Sequence, residues 1–321
     1  MNKVAFIFPG QGSQSVGMLS ELAESFPLIK DHFALVSDRI GYDLWALVQK
    51  GPEDKLNQTE HTQAAMLTAD VALFNLLKKS GAGRVQMMAG HSLGEYAALV
   101  CAGAISLADA AELVTTRGQL MQSSVPLGQG AMAAIVGLTD EQVQIICDEV
   151  SNLDQQVSPA NYNAIGQIVI AGHTGAVERA VALAEIKEAR MAKIIPVSVP
   201  CHCALLSEAA QAFEEHLARA NFKVPDVPVI SNVDLSIYNS PEHIRVLLKE
   251  QLYRPVRWVE TIQLMKKEGI DLLVECGPGR VLTGLVKRIE RTLSVISMND
   301  KTSLNLVLAE LGVEKIVNED F

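Results

Sequence analysis

The sequence predicts an α/β protein: a mostly parallel sheet wrapped by helices, with a smaller βαββαβ unit inserted in it. Three observations predict this. Short apolar runs, VAFIF and VQMMA among them, end in glycine-containing turns and lead into helical patterns. That strand–turn–helix alternation argues for parallel strands covered on both faces. Near residue 127 the order changes to strand–helix–strand–strand–helix–strand, the ferredoxin-like split motif.

Element by element, KVAFIFPG is a buried strand closed by a Pro-Gly turn, and helical patterns fill the chain to about residue 80. VQMMAG is a second buried strand, meeting a helix expected to begin at Ser92. The next helix starts at Ser106, with Asp109 three residues on, as in a capping box. GQGAMAAIVGL, QQVSPAN, IGQIVIAG and AKIIPVSV are the four strands of the inserted unit, and TDEQVQIICDEV and HTGAVERAVALAEI are its helices. After residue 200 the first rhythm resumes with the helix ALLSEAAQAFEEHLARA, the strand DLLVECGPG and the helix RVLTGLVKRIE. The expected division is therefore 1–126 and 199–321 for the large unit and 127–198 for the small one, with a ligand cleft between them. The final VNEDF is expected to fray.

With 321 residues, 49% hydrophobic and 20% charged, the chain can bury a substantial core. No apolar run approaches the roughly 20 residues of a membrane span, and no secretory signal opens the chain. Five scattered cysteines without a C-x-x-C pair read as reduced thiols, so a cytoplasmic location is expected. Cys201-His202-Cys203 comes nearest to a metal cluster, but adjacent residues point in alternate directions, and no metal site is expected. A net charge of −10 without a basic block argues against nucleic acid or an anionic membrane as partner. The small basic clusters KRIER (287–291) and RPVR (254–257) read as solvated helix faces or as a local patch for an acidic partner.

Gly90-His91-Ser92-Leu93-Gly94 fits G-x-S-x-G with a strand before it and a helix after it. A sharp strand-to-helix turn needs small flanking residues, and it leaves the serine at a helix N-terminus that favours negative charge. Ser92 is thus expected both to cap its helix and to serve as nucleophile, with a plain N-cap as the alternative. Of the seven histidines, five lie in polar patterns that read as surface, and His91 would point away from its neighbour. His202, where a strand ends before a helix, is the remaining candidate base, with a structural histidine as the alternative. Arg117 leans into the apolar stripe Leu107, Ala110, Ala111, Val114, Gly118 and Met121, so it must be paired. Its partner is either an internal carboxylate or the carboxylate of a substrate. The glycine-rich turn after the first strand lacks the Lys-Ser/Thr of a phosphate loop, but its N–H groups suit an oxyanion.

Several motifs converge: FPGQGSQSVGM (8–18), GHSLGEYAAL (90–99), VTTRGQLMQ around Arg117, GQIVIAG (166–172), VPCHC (199–203), QLYRPVRW (251–258) and ECGPGRVLTGL (275–285). Together they resemble the malonyl-CoA:acyl-carrier-protein transacylases nearly end to end, and most closely the stand-alone bacterial type of fatty acid synthesis. The resemblance implies that the large unit is α/β-hydrolase-like and carries the ferredoxin-like insertion. It implies Ser92 as acylated nucleophile and His202 as base, oriented by the backbone carbonyl of Gln251 in place of a third carboxylate. It further implies an oxyanion hole from the N–H groups of Gln11 and Leu93, Arg117 as grip for the malonyl carboxylate, and Gln63 near the substrate. Malonyl-CoA and acyl carrier protein are the implied partners, with no cofactor, and a monomer is expected. Cys201 and Ala164-Ile165 depart from the usual family residues without touching the nucleophile, base or arginine. A thioesterase or esterase using the same serine is the rival reading. It lacks the late histidine after His243, and this chain has no Asp-Gly for a patatin-like site.

Overall fold

The computed structural model describes residues 3–81, 85–197 and 199–313. The first strand β1 (Val4–Phe8) is buried at every position, as both faces are covered by helices. Five helices follow: α1 (Ser20–Ser25), α2 (Leu28–Ile40), α3 (Leu44–Lys50), α4 (Glu53–Leu56) and α5 (Thr59–Lys79). Then come β2 (Val85–Gly90), α6 (Gly94–Cys101) and α7 (Leu107–Ser124). Ser106 caps α7 by accepting from the Asp109 N–H, as its spacing predicts.

The inserted unit comprises β3 (Gly130–Val136), α8 (Asp140–Val150), β4 (Val157–Ala164), β5 (Gln167–His173), α9 (Thr174–Ile186) and β6 (Met191–Ile195). A capping box between Thr139 and Gln142 starts α8. The chain returns through α10 (Ser207–Arg219), α11 (Pro241–Glu250), α12 (Trp258–Lys267), β7 (Leu272–Cys276), α13 (Val281–Ile289), β8 (Ser294–Met298) and α14 (Lys301–Glu310).

Two sheets result. One is parallel throughout in the order β2-β1-β7-β8, and the other is antiparallel in the order β4-β5-β3-β6. One face of the antiparallel sheet packs on α8 and α9 through Ile135, Ile146, Ile168 and Val177. Its opposite face sets Met132, Val169 and Ala171 against Cys203, in the loop that carries His202. Backbone hydrogen bonds from Val256 to Ala160 and from Tyr162 to Val256 join β4 to the segment before α12. The smaller sheet is therefore fastened to the functional loops by both packing and hydrogen bonds.

Some expectations are corrected. AKIIPVSV is strand only to Ile195, since Pro196 has no N–H for a ladder, and Ser198 lies outside the described residues, as does VNEDF. QQVSPAN accommodates Pro159 within β4 beside a register shift between Pro159 and Asn161, the kind of irregularity where a strand tolerates proline. The helix expected from Ser92 begins at Gly94 with Leu93 at its N-cap, and no side chain caps it. Among the described residues no helix is long and apolar enough to cross a membrane.

One residue breaks the packing rules. Asp70 on α5 is wholly buried, and among the described residues neither carboxyl oxygen has a hydrogen-bond partner. Burial first, and the nearby Glu275 carboxyl second, push its pKa well above the ordinary value. The folded chain then keeps a proton that the unfolded chain releases. This costs stability as pH rises above the unfolded value and towards the folded one. Asp70→Asn keeps the volume and removes that proton. Its stability relative to the native chain is expected to grow by about 1.4 kcal/mol per pH unit above the usual carboxylate range. Urea unfolding at about pH 5 and about pH 7 reads this directly, and a difference independent of pH would contradict it.

Candidate active site

The site lies at the C-terminal ends of the neighbouring parallel strands β1 and β2, where ligands of such sheets gather. After β2 the chain turns sharply, and Ser92 has φ +52°, the left-handed region that a non-glycine residue rarely adopts. The flanking glycines permit the turn. A Cβ on Gly90 would lie 1.8 Å from the Gly94 carbonyl carbon, and one on Gly94 would lie 2.1 Å from the Phe8 carbonyl oxygen. Ser92 therefore does not cap α6. Its hydroxyl is turned the other way, 2.7 Å from the Nε2 of His202.

His202 also sits in the left-handed region, with φ +60°, and is 2% exposed. Its N–H donates to the Leu252 carbonyl at 3.0 Å, and its Nδ1 lies 2.7 Å from the carbonyl oxygen of Gln251. Nδ1 donating to that carbonyl leaves the Nε2 lone pair facing the serine hydroxyl. Burial above all, then the charge of Arg117, lowers the His202 pKa to about 3. The ring is accordingly neutral at physiological pH and competent to accept a proton. The neighbouring cysteines turn away to backbone: Cys201 Sγ to the Val199 carbonyl and Cys203 Sγ to that of Pro200.

Arg117 is 1% exposed, and none of the ion pairs among the described residues includes it. The internal carboxylate partner considered from sequence is absent from its hydrogen bonds. Nη1 donates to Gln63 Oε1 at 2.8 Å and Nη2 to Gln251 Oε1 at 3.0 Å, while the guanidinium stands 5.7 Å from the centre of the Tyr96 ring. Nη2 is also 3.5 Å from Ser92 Oγ, and Nε has no hydrogen-bond partner among the described residues. A cation thus faces the nucleophile with donor capacity to spare. Gln63 is itself fully buried, its amide nitrogen 3.6 Å from the Met121 sulfur.

The backbone N–H groups of Gln11 and Leu93 have no partner among the described residues. Their loops meet: a Cβ on Gly10 would lie 2.6 Å from the His91 carbonyl oxygen and 3.7 Å from the Leu93 nitrogen. Unused donors at the N-terminus of α6 suit a developing oxyanion.

Sequence reasoning missed the support beneath these groups. Asn232 accepts from the Ser92 N–H at 2.7 Å and donates its amide to the Gly90 carbonyl, so it clamps both sides of the turn. Glu95, fully buried in the first turn of α6, accepts from the Asn232 N–H at 3.1 Å, from the Tyr238 hydroxyl at 2.6 Å and from the Gln251 side-chain amide. Burial pushes its pKa up to about 7 against those hydrogen bonds and the pull of Arg117. A lone charge in the otherwise apolar helix GEYAALVC was the one available signal. The other histidines are half-buried rather than fully exposed, and all but His91, beside Ser92, stand elsewhere. His91 bonds Asn163 at 2.8 Å, and His32, His61, His173 and His243 have polar neighbours of their own.

A family model for the acyl transferase domain matches residues 5–307. The malonyl CoA-acyl carrier protein transacylase of Escherichia coli (strain K12) is 50% identical over 308 residues, which are 96% of this chain and 99% of that protein. The solved malonyl CoA-acyl carrier protein transacylase from Coxiella burnetii has a TM-score of 0.94 at 47% identity, over 98% of both chains. A malonyl-transacylase solved in complex with its type II PKS acyl-carrier protein also reaches 0.94, at 50% identity, over 96% of this chain and 99% of that one. The chain belongs to the acyl transferase domain family, among the malonyl CoA-acyl carrier protein transacylases.

Proposed function

We propose that the chain moves a malonyl group from malonyl-CoA to the phosphopantetheine thiol of an acyl carrier protein, through a Ser92 acyl-enzyme, and so supplies fatty acid synthesis. One observation carries this reading: a serine hydroxyl 2.7 Å from a neutral imidazole and 3.5 Å from a buried guanidinium that pairs with no carboxylate among the described residues. Ser92 attacks the thioester carbon as His202 takes its proton. The N–H groups of Gln11 and Leu93 hold the oxyanion. His202 then gives the proton to the departing CoA thiolate. In the second half the carrier thiol loses its proton to His202, attacks the Ser92 ester, and the proton returns to the serine. The Gln251 carbonyl orients His202 throughout. Arg117 grips the free carboxylate of the malonyl group beside Gln63.

That carboxylate has a second effect in this reading. It offsets the Arg117 charge that helps to depress His202, so the base strengthens when the right acyl group is bound. We read the parallel sheet and its helices as the α/β-hydrolase-like subdomain of residues 1–126 and 199–321. The antiparallel unit of 127–198 is the ferredoxin-like subdomain, its order β4-β5-β3-β6 supporting that description. The enzyme works as a cytoplasmic monomer and keeps no resident cofactor, since CoA and the pantetheine arm arrive with the substrates.

Transfer is tested by giving the malonyl-loaded protein either buffer or holo-acyl carrier protein. Malonyl appearing on the carrier supports the proposal, whereas free malonate in both cases would make the protein a thioesterase. Arg117→Ala is expected to lose about 10- to 100-fold in malonyl kcat/KM, the scale of a charged hydrogen bond, while retaining acetyl transfer. Undiminished malonyl preference in that variant would remove Arg117 from this role. The same variant tests the base. Losing the guanidinium raises the His202 pKa towards its ordinary value, so the acid limb of acetyl transfer should move to higher pH than in the native enzyme. An unmoved limb would show that burial alone sets His202.

A further inference from the structure

Gln251 touches the nucleophile's residue, the base and the arginine together. Its backbone carbonyl accepts from His202 Nδ1, its Oε1 accepts from Arg117 Nη2 at 3.0 Å, and its Nε2 donates to the Ser92 carbonyl at 3.0 Å and to Glu95 Oε2. The two ends of a side-chain amide have nearly the same shape, so only its partners decide which end points where. Reversed, the amide would set its NH₂ against a guanidinium and its oxygen against two acceptors. The Ser92 carbonyl is a neutral acceptor, whereas Glu95 is a buried carboxyl that accepts the same NH₂ from the far side. Its other oxygen is held by Asn232 and Tyr238, so it is not free to turn away.

We propose that Glu95 is the positioning residue for acyl selectivity: by fixing the amide of Gln251 with its oxygen towards Arg117, it holds the guanidinium ready for a substrate carboxylate. Glu95 touches neither Ser92 Oγ nor His202; its hydrogen-bonded route to Arg117 runs through the Gln251 amide, beside the direct attraction between the two charges. The inference rests on the reading of Arg117 as the malonyl grip.

Glu95→Gln preserves volume while removing the charge, and Gln251→Met, which keeps that charge, separates the orientation of the amide from the direct attraction to Arg117. The new amide oxygen can still accept from Asn232 and Tyr238, which keeps the turn at Ser92 clamped. Its NH₂ then faces the NH₂ of Gln251 and drives that amide to reverse, presenting donors to Arg117. The experiment measures kcat/KM for malonyl-CoA and acetyl-CoA in the native chain, Glu95→Gln, Arg117→Ala and the double variant, with melting curves for each. The malonyl-to-acetyl ratio is expected to fall about 10-fold or more in Glu95→Gln, the scale of one charged hydrogen bond. In the Arg117→Ala background, the same change should leave the ratio where it was. A purely structural role would depress both substrates together in either background, and that result would overturn the proposal.

Tyr238→Phe loosens the same carboxyl on the side away from Gln251 and is expected to keep the ratio. Should Glu95→Gln fail to fold, Gln251→Met keeps the carbonyl for His202 and removes the amide, and an unchanged ratio there would equally overturn the link. The two readings fail differently. If Arg117→Ala retains full malonyl preference, the grip itself is wrong; if Arg117→Ala loses it and Glu95→Gln does not, only the positioning role falls.

Discussion

A buried arginine whose hydrogen bonds, among the described residues, go to neutral groups in place of a carboxylate is the constraint on which this site depends. Removing a guanidinium from water is costly unless its donors are met. Arg117 meets that cost with two amide oxygens, from Gln63 and Gln251, and the face of Tyr96. These neutral partners satisfy donors without cancelling charge. The cation therefore remains available to an incoming anion and acts on everything near it, including the depressed base His202 and the carboxyl of Glu95.

The rest of the architecture serves to hold nucleophile and base against that cation. Both Ser92 and His202 occupy left-handed backbone that ordinary residues avoid, and such strain persists only where the surroundings impose it. For Ser92 the surroundings are the Gly90–Gly94 contact and the Asn232 clamp. For His202 they are the Leu252 and Gln251 carbonyls, with the β3–β5 face packed on Cys203 behind it. The small sheet thus belongs to the active-site scaffold, although it supplies neither nucleophile nor base.

Much of the fold was legible because its signals are local. A continuous apolar run marked β1, and the cap at Ser106 marked α7. Ser92 was legible from its glycines, and His202 from a strand expected to end beside it, although β6 stops at Ile195. Reading Ser92 as a helix cap failed because the turn places Leu93 at the N-cap and sends the hydroxyl to the base instead. Gln11, Leu93 and Gln251 were reached only through resemblance, since backbone atoms carry no residue-type signal. Asn232 and Tyr238 were not read at all: their partners Ser92 and Glu95 are distant in sequence, and nothing local distinguishes them from loop residues.

The most direct test is the intact mass of the protein after brief mixing with malonyl-CoA in the absence of carrier, with peptide mapping of any adduct and Ser92→Ala alongside. The account predicts one malonyl group on Ser92, stable in buffer, formed faster than the acetyl adduct from acetyl-CoA, and absent from the variant. An adduct on another residue, or one equally abundant in Ser92→Ala, would contradict it.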